Sequence, residues 1–161
     1  MSREPSDLGS PAVPAERGFT LVEVLLVAII IGILASLAIP QLQRVRERAM
    51  IARAIGDVDA LGWNIMEYEM VHGQFPSSLA AVGWGGRLDP WGNPYQYLKI
   101  RGSTNVGAAR KDHFLVPVNS DFDLYSMGSD GSTASPLTAK VSHDDIIRAN
   151  DGGFVGVAAD Y

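Results

Sequence analysis

A long apolar run near the N-terminus dominates the pattern of the chain. Residues 19–40, FTLVEVLLVAIIIGILASLAIP, contain one charged side chain, Glu23. As an α-helix this run would span about 33 Å, close to the hydrocarbon thickness of a bilayer. No small-residue cleavage site follows it, as one would in an ordinary secretory signal, so we expect the run to stay in the mature protein. Residues 1–18 are polar, lack apolar periodicity and are predicted to be disordered.

Beyond Pro40 the apolar positions take up a helical spacing. Between residues 41 and 72 they recur every three or four positions, which predicts an amphipathic helix with one face packed on a sheet. The members of this stripe are Leu42, Val45, Ala49, Ala52, Ile55, Val58, Leu61, Ile65, Tyr68 and Val71. Gly73 is a natural helix end. The pattern therefore predicts one long helix, apolar in its first half and amphipathic in its second.

Short apolar and aromatic runs after the helix indicate a small sheet. Residues 95–100, 113–118 and 122–127 are predicted strands, and the Gly- and Ser-rich residues 101–112 are predicted to form an exposed hairpin loop. The predicted fold is α+β, with one long N-terminal helix packed on a three-stranded antiparallel sheet. Residues 132–161 are interpreted as a tail without assigned strands.

The composition of the chain excludes several classes of function. A net charge of −5 argues against nucleic-acid binding, which needs clustered Lys and Arg. The absence of cysteine excludes disulfides, thiolate metal sites and a Cys nucleophile. The chain has none of the hydrolase, phosphate-loop, zinc-protease or dinucleotide motifs. We therefore predict no catalytic residues and no enzymatic activity.

The junction before the apolar run carries a specific motif. The residues from Arg17 to Glu23, RGFTLVE, resemble the processing site of type IV prepilins. The resemblance implies that a prepilin peptidase cuts between Gly18 and Phe19 and methylates the new N-terminus. It also implies a type IV pilin-like organisation: residues 1–18 a cleaved leader, 19–40 a transmembrane and assembly segment, and 41–161 a periplasmic lobe.

Glu23 admits two interpretations. A carboxylate costs about 2.5–3.5 kcal/mol near the bilayer centre, so it either lies near the interface and reaches water or finds a cation within an assembly. The resemblance implies the second role, with the free amine of Phe19 in a neighbouring subunit as the cation. An unpaired buried charge is costly, so such a pair would favour one axial register between subunits.

Gly32 and Pro40 delimit the second half of the apolar run. Glycine weakens a helix interior and proline removes a backbone donor. The resemblance implies that this segment unwinds in assembled filaments. A simple kink at Pro40 is the alternative.

Two further motifs lie in the lobe. The string DPWGNPYQY, residues 89–97, combines turn chemistry with one large aromatic and an aromatic-rich strand, and we expect Trp91 to face the core near the long helix. The string is similar to a signature of the major pseudopilins of type II secretion. Residues 122–131, FDLYSMGSDG, resemble the loop with which those pseudopilins bind structural calcium.

The calcium prediction rests on three side chains. Asp123 and Asp130 match the family's ligands, and Ser126 with backbone carbonyls would complete a set of hard oxygens. The sequence departs from the family after Gly131, so a metal-free, hydrogen-bonded turn is the alternative.

The resemblance implies a structural subunit of a type II secretion pseudopilus, a periplasmic rod that drives protein export. Its implied partners are further copies of the chain, minor pseudopilins, an inner-membrane assembly platform, the peptidase and, before assembly, membrane lipid. A surface type IV filament and a membrane-anchored protein that never polymerises are the alternatives. The arginines at 44, 46, 48 and 53 would favour a cytoplasmic lobe by the positive-inside rule. The resemblance instead implies a single-pass inner-membrane protein with a periplasmic lobe.

Overall fold

The computed structural model describes residues 18–104 and 106–161. Its internal contacts divide the chain into two units after Leu42. The predicted leader, apart from Gly18, lies outside the described residues.

A single α-helix, α1 (Leu21–His72), accounts for nearly all of the first unit and continues into the second. At its start the Glu23 amide donates to the Thr20 hydroxyl oxygen over 3.2 Å, so Thr20 acts as the N-cap. At its end Gly73 has φ +72° and its amide donates to the Glu69 carbonyl over 2.8 Å. The predicted long helix is confirmed to within two residues of its expected start.

Four short strands form one antiparallel sheet in the part of the chain that the structure describes. They are β1 (Gln96–Lys99), β2 (Phe122–Ser126), β3 (Ile146–Ala149) and β4 (Phe154–Val157), in spatial order β1-β2-β3-β4. The predicted first and third strands correspond to β1 and β2. The α+β class is confirmed, and the expected number of strands is corrected from three to four.

The predicted strand at 113–118 is wrong. The backbone there makes a tight turn, with reciprocal amide-to-carbonyl hydrogen bonds of 3.0 and 2.7 Å between Asp112 and Leu115, and His113 has φ +43°. Phe114, Leu115 and Val116 are exposed, and the run is buried at its last residue, Val118, which belongs to the smaller core cluster. Pro117 lacks the amide hydrogen that a strand position would donate.

The interpretation of residues 132–161 as a tail without strands is wrong, because this segment supplies β3 and β4. All four residues of β3 are buried, including Arg148. Asn150 and Asp151 turn the chain between the two strands with φ of +53° and +55°. The apolar pair Ile146-Ile147 was too short to distinguish a strand from a helical turn by periodicity alone.

The sheet divides the core of the lobe into two layers. On one face α1 packs on the sheet through Ala54 and three members of the predicted stripe, Val58, Leu61 and Ile65. Together with the sheet residues Phe122, Leu124 and Ile146 they are at most 1% exposed. The other predicted members Leu42, Val45, Ala49, Ala52 and Val71 are exposed, so the stripe is corrected there. Full burial of one such large aliphatic side chain contributes about 1.5–3 kcal/mol. The opposite face buries a smaller cluster that includes Ile147 and Ala149. Successive strand residues alternate between these layers.

Candidate functional site: the assembly segment and the loop after β2

The first half of α1 exposes an unusual amount of apolar surface. Phe19 is 82% exposed, and the large aliphatic side chains from Leu21 to Ile39 are each about half exposed or more. Among the described residues, α1 is the helix that is long and apolar enough to cross a membrane. Its most apolar stretch is not buried against any other part of the structure. So large a continuous apolar surface requires lipid or other protein around it.

Glu23 lies in the first turn of this apolar helix. Together with Phe19, Val24 and Val27 it lines a groove of about 210 Å³. None of the ion pairs found among residues 18–104 and 106–161 involves the Glu23 carboxylate. A carboxylate at a helix N-terminus is favoured by the helix dipole. The hydrogen bond from the Glu23 backbone amide to the Thr20 hydroxyl oxygen holds the backbone of this first turn in place. Within residues 18–104 and 106–161, the Glu23 carboxylate therefore has no cation as a partner.

Gly32 and Pro40 both lie inside α1, which is helical through both positions. A side chain at position 32 would meet nothing within 4 Å in the single chain. Unwinding between them concerns the assembled filament and stays a prediction.

Asp89 organises the turn that begins DPWGNP. One carboxylate oxygen, Oδ1, accepts hydrogen bonds from the backbone amides of Trp91 (3.0 Å) and Asn93 (2.8 Å). The other, Oδ2, accepts from the Ser126 hydroxyl at the end of β2. Asp89 is 5% exposed. One buried carboxylate thus holds the turn in shape and attaches it to the sheet.

The two lobe motifs singled out from the sequence are in contact with each other. The Asn93 side-chain amide donates to the Gly128 carbonyl over 3.0 Å. A Cβ atom at Gly131 would lie 2.9 Å from the Asn93 side-chain oxygen, so only glycine fits without displacement. Trp91 packs against the main core cluster, and its indole N–H points to a Glu47 carboxylate oxygen of α1 at 3.5 Å. The expected orientation of Trp91 is confirmed.

The three residues predicted to bind calcium do not come together. Asp123 is 1% exposed, and its two oxygens accept hydrogen bonds from the Arg110 amide and the Asn119 side chain. Ser126 projects from the opposite face of β2, towards Asp89. Asp130 is exposed, and its carboxylate accepts from the Ser132 amide over 2.7 Å. Burial raises the pKa of Asp123, and its two hydrogen bonds oppose that rise.

These side chains, as arranged, do not fit one shared calcium ion. No group of three or more His, Cys, Asp or Glu residues with metal-binding geometry occurs in the part of the chain that the structure describes. Calcium binding by Asp123, Ser126 and Asp130 stays an untested expectation from the resemblance.

Two buried arginine–aspartate pairs occupy this region, and sequence reasoning missed both. Arg110 pairs with Asp145, and Arg148 pairs with Asp121 through two hydrogen bonds of 2.9 and 2.7 Å. Arg110 lies in the segment predicted to be an exposed loop, yet it is 3% exposed, which corrects that prediction for its end. Neither arginine has a local sequence signal, because each partner comes from a distant strand or loop.

The helix, the processing motif and the lobe define the class of protein, a pilin-like filament subunit. A family model described as the prokaryotic N-terminal methylation motif matches residues 14–39. The chain is 31% identical to the type II secretion system core protein G of Pseudomonas aeruginosa over 72% of its length and 85% of the relative's. It is 36% identical to core protein G of Vibrio cholerae over 72% and 82% of the two lengths.

The chain belongs to the type II secretion system core protein G family. A fimbrial protein of Neisseria meningitidis is also similar, at 27% identity over 89% of this chain and 85% of the relative. No solved structure matches the chain significantly.

Proposed function

We propose that this chain is a structural subunit of a type II secretion pseudopilus and polymerises into a rod that drives protein export. The observation that carries the proposal is the apolar half of α1, which is exposed along its length and holds one carboxylate, Glu23, that forms no ion pair with the described part of the chain. Similarity to several core protein G chains supports the same role. The role is structural and involves no catalytic step.

In the proposed mechanism, a peptidase cuts after Gly18, and the methylated amine of Phe19 becomes the first group of the mature chain. Before assembly, lipid covers the apolar segment. On assembly, the Glu23 carboxylate of one subunit pairs with the Phe19 amine of a neighbour. A subunit docked in the wrong register leaves that carboxylate buried and unpaired, and this penalty selects the correct helical position.

The proposed location follows from the same organisation. The leader stays in the cytoplasm, the apolar half of α1 crosses the inner membrane and the lobe lies in the periplasm. Minor pseudopilins and an inner-membrane assembly platform are the proposed partners beyond copies of the chain. Protease accessibility of the lobe in spheroplasts, with the membrane intact, tests this orientation, and a protected lobe would contradict it.

Two substitutions of Glu23 test the assembly mechanism. Glu23→Ala removes the charge and the first-turn carboxylate. Glu23→Gln keeps a side chain suited to a helix start but removes the charge. Because the pair needs the charge, we expect both variants to insert in the membrane and both to lose filaments. Ser36→Ala is the matched control, since the Ser36 hydroxyl donates within its own helix to the Ile33 carbonyl over 2.7 Å.

The measurement is the amount of sheared filament per amount of membrane-inserted subunit, quantified by immunoblotting. The control should assemble as the unmodified chain does. Normal filament yield from Glu23→Gln would show that a polar side chain suffices and would refute the charge pair.

A surface filament is the second candidate, favoured by the similarity to the fimbrial protein. The two functions predict different effects of deleting the gene for this protein on secretion and on surface filaments. Loss of a secreted protein from the medium, without long surface filaments at native expression, supports the pseudopilus. Intact secretion together with loss of long filaments would support the surface fibre.

A further inference from the structure

The loop after β2 is held by a cation that the chain itself provides. The guanidinium of Arg110 is 3% exposed and donates through Nη1 to the Thr133 hydroxyl oxygen and, over 2.7 Å, to the Ala134 carbonyl. Through Nη2 it donates to a carboxylate oxygen of Asp145. A hydroxyl, a backbone carbonyl and a carboxylate therefore converge on one positive charge. These are the oxygen types that calcium selects in proteins.

The position of this arginine is fixed from several sides. Its backbone amide donates to the Asp123 carboxylate of β2, and its guanidinium lies 4.4 Å from the centre of the Tyr125 ring. Asp145 is fully buried at the entrance to β3, and its backbone carbonyl accepts from the Ala158 amide over 2.8 Å. A guanidinium stays charged at all physiological pH values, so it can act as a permanent cross-link between these segments.

The rest of the loop is held by protein groups as well. A carboxylate oxygen of Asp144 accepts from the Asp130 amide (3.0 Å) and the Ser129 hydroxyl (2.9 Å). The Ser142 hydroxyl pairs with both the amide and the carbonyl of Ala134, over 3.0 and 2.9 Å. Each contact joins the loop after β2 to the segment before β3.

The buried side chains of this region offer a metal ion almost no free oxygen. Among the described buried side chains, the polar atoms without a hydrogen-bond partner are one donor, Arg110 Nε, and one acceptor, Asp145 Oδ1. Calcium takes six to eight oxygens. A single spare acceptor beside a guanidinium does not make such a site, and the positive charge repels a second cation.

We infer that Arg110 replaces a structural metal ion in this chain, cross-linking residues 109–112, the loop at 132–134 and the start of β3, so that the lobe folds and stays folded without calcium. Asp123 serves in this arrangement as an acceptor for the Arg110 backbone rather than as a metal ligand. The inference does not depend on the proposed function, since it concerns the lobe of a single subunit.

The first test is thermal unfolding of the full processed chain in detergent micelles, followed by tryptophan fluorescence. The melting temperature should be the same in excess EDTA and in millimolar calcium chloride, because a ligand that does not bind the folded state does not stabilise it. A melting temperature that falls in EDTA and returns with calcium would overturn the inference.

Substitution of Arg110 provides the second test. Arg110→Gln leaves Asp145 buried without its cation, and we expect the melting temperature to fall by about 10 °C or more, equally with and without calcium. Arg53→Gln is the matched control. Arg53 belongs to an exposed pair, 3.8 Å from Asp57, and its loss should change the melting temperature by no more than about 2 °C. An Arg110→Gln chain as stable as the control would contradict the cross-link.

If Arg110→Gln does not fold, the comparison of the unmodified chain in EDTA and in calcium still decides the question. Thr133→Val then gives a milder perturbation, because it removes the hydroxyl that accepts from Arg110 and donates to Asp145 but keeps the ion pair. We expect it to lower the melting temperature by about 3–6 °C, with no response to calcium. Stabilisation of Thr133→Val or of the unmodified chain by calcium would each count against the inference.

Discussion

Substitution of Asp89 tests how much its buried carboxylate contributes to the stability of the lobe. In Asp89→Ala the amides of Trp91 and Asn93 lose their common acceptor, and the Ser126 hydroxyl loses its partner. Each unsatisfied polar group costs about 1–3 kcal/mol, offset in part by no longer burying a charge. We expect a net loss of about 2–4 kcal/mol, which for a lobe of this size lowers the melting temperature by about 8–15 °C.

Asp89→Asn separates the carboxylate's geometry from its charge. The asparagine oxygen can still accept from the two backbone amides, so we expect a loss of about 1 kcal/mol, mainly at Ser126. Asp59→Ala, at an exposed helix position, is the control and should lie within about 0.5 kcal/mol of the unmodified chain. Thermal unfolding of the full processed chain in detergent, followed by fluorescence of the half-buried Trp91, gives all three values. Asp89→Asn as damaging as Asp89→Ala would refute the reasoning, because the charge rather than the acceptor geometry would then matter.

Two further predictions concern the loop after β2 and the turn before β4. In a urea titration, Gly128→Ala should lower the free energy of unfolding by about 2–3 kcal/mol or more, because Gly128 has φ +64° and an added Cβ would clash with the Asp144 carbonyl oxygen. Gly86→Ala, with φ +76° but open space around it, should lower it by only about 1 kcal/mol. At Asp151 burial favours the neutral form, but the Ser120 hydroxyl and amide bind the carboxylate over 2.7 Å each and hold its pKa below the usual value. The unfolded chain therefore binds the proton first, and the stability that Asp151 contributes is present above about pH 4 and lost as the pH falls further. Melting temperatures measured from pH 5 to pH 3 should fall less steeply for Asp151→Asn, and parallel curves would contradict this.

The long helix could be predicted because its signals are local. The unbroken apolar run before Pro40 and the spacing of Val58, Leu61 and Ile65 each point to one structure. The short strands β1 and β2 could be predicted because aromatic residues follow turn motifs there.

The rest depends on contacts between distant residues. Phe114, Leu115 and Val116 have strand-forming side chains, but no neighbouring strand is available to cover them, and they remain exposed. Arg110 and Asp145 are 35 positions apart in the sequence, where each resembles an ordinary surface charge. Only the folded structure brings the two side chains into contact. The carboxylates of Asp123 and Asp130 likewise accept hydrogen bonds from donors within the chain, which no local sequence pattern indicates.

A map of the assembled filament would show directly whether Glu23 acts between subunits. A cryo-electron microscopy reconstruction at side-chain resolution should place the Phe19 amine of one subunit within about 4 Å of the Glu23 carboxylate of a neighbour. A filament in which Glu23 faces solvent or lipid, with every Phe19 amine paired elsewhere, would contradict the account.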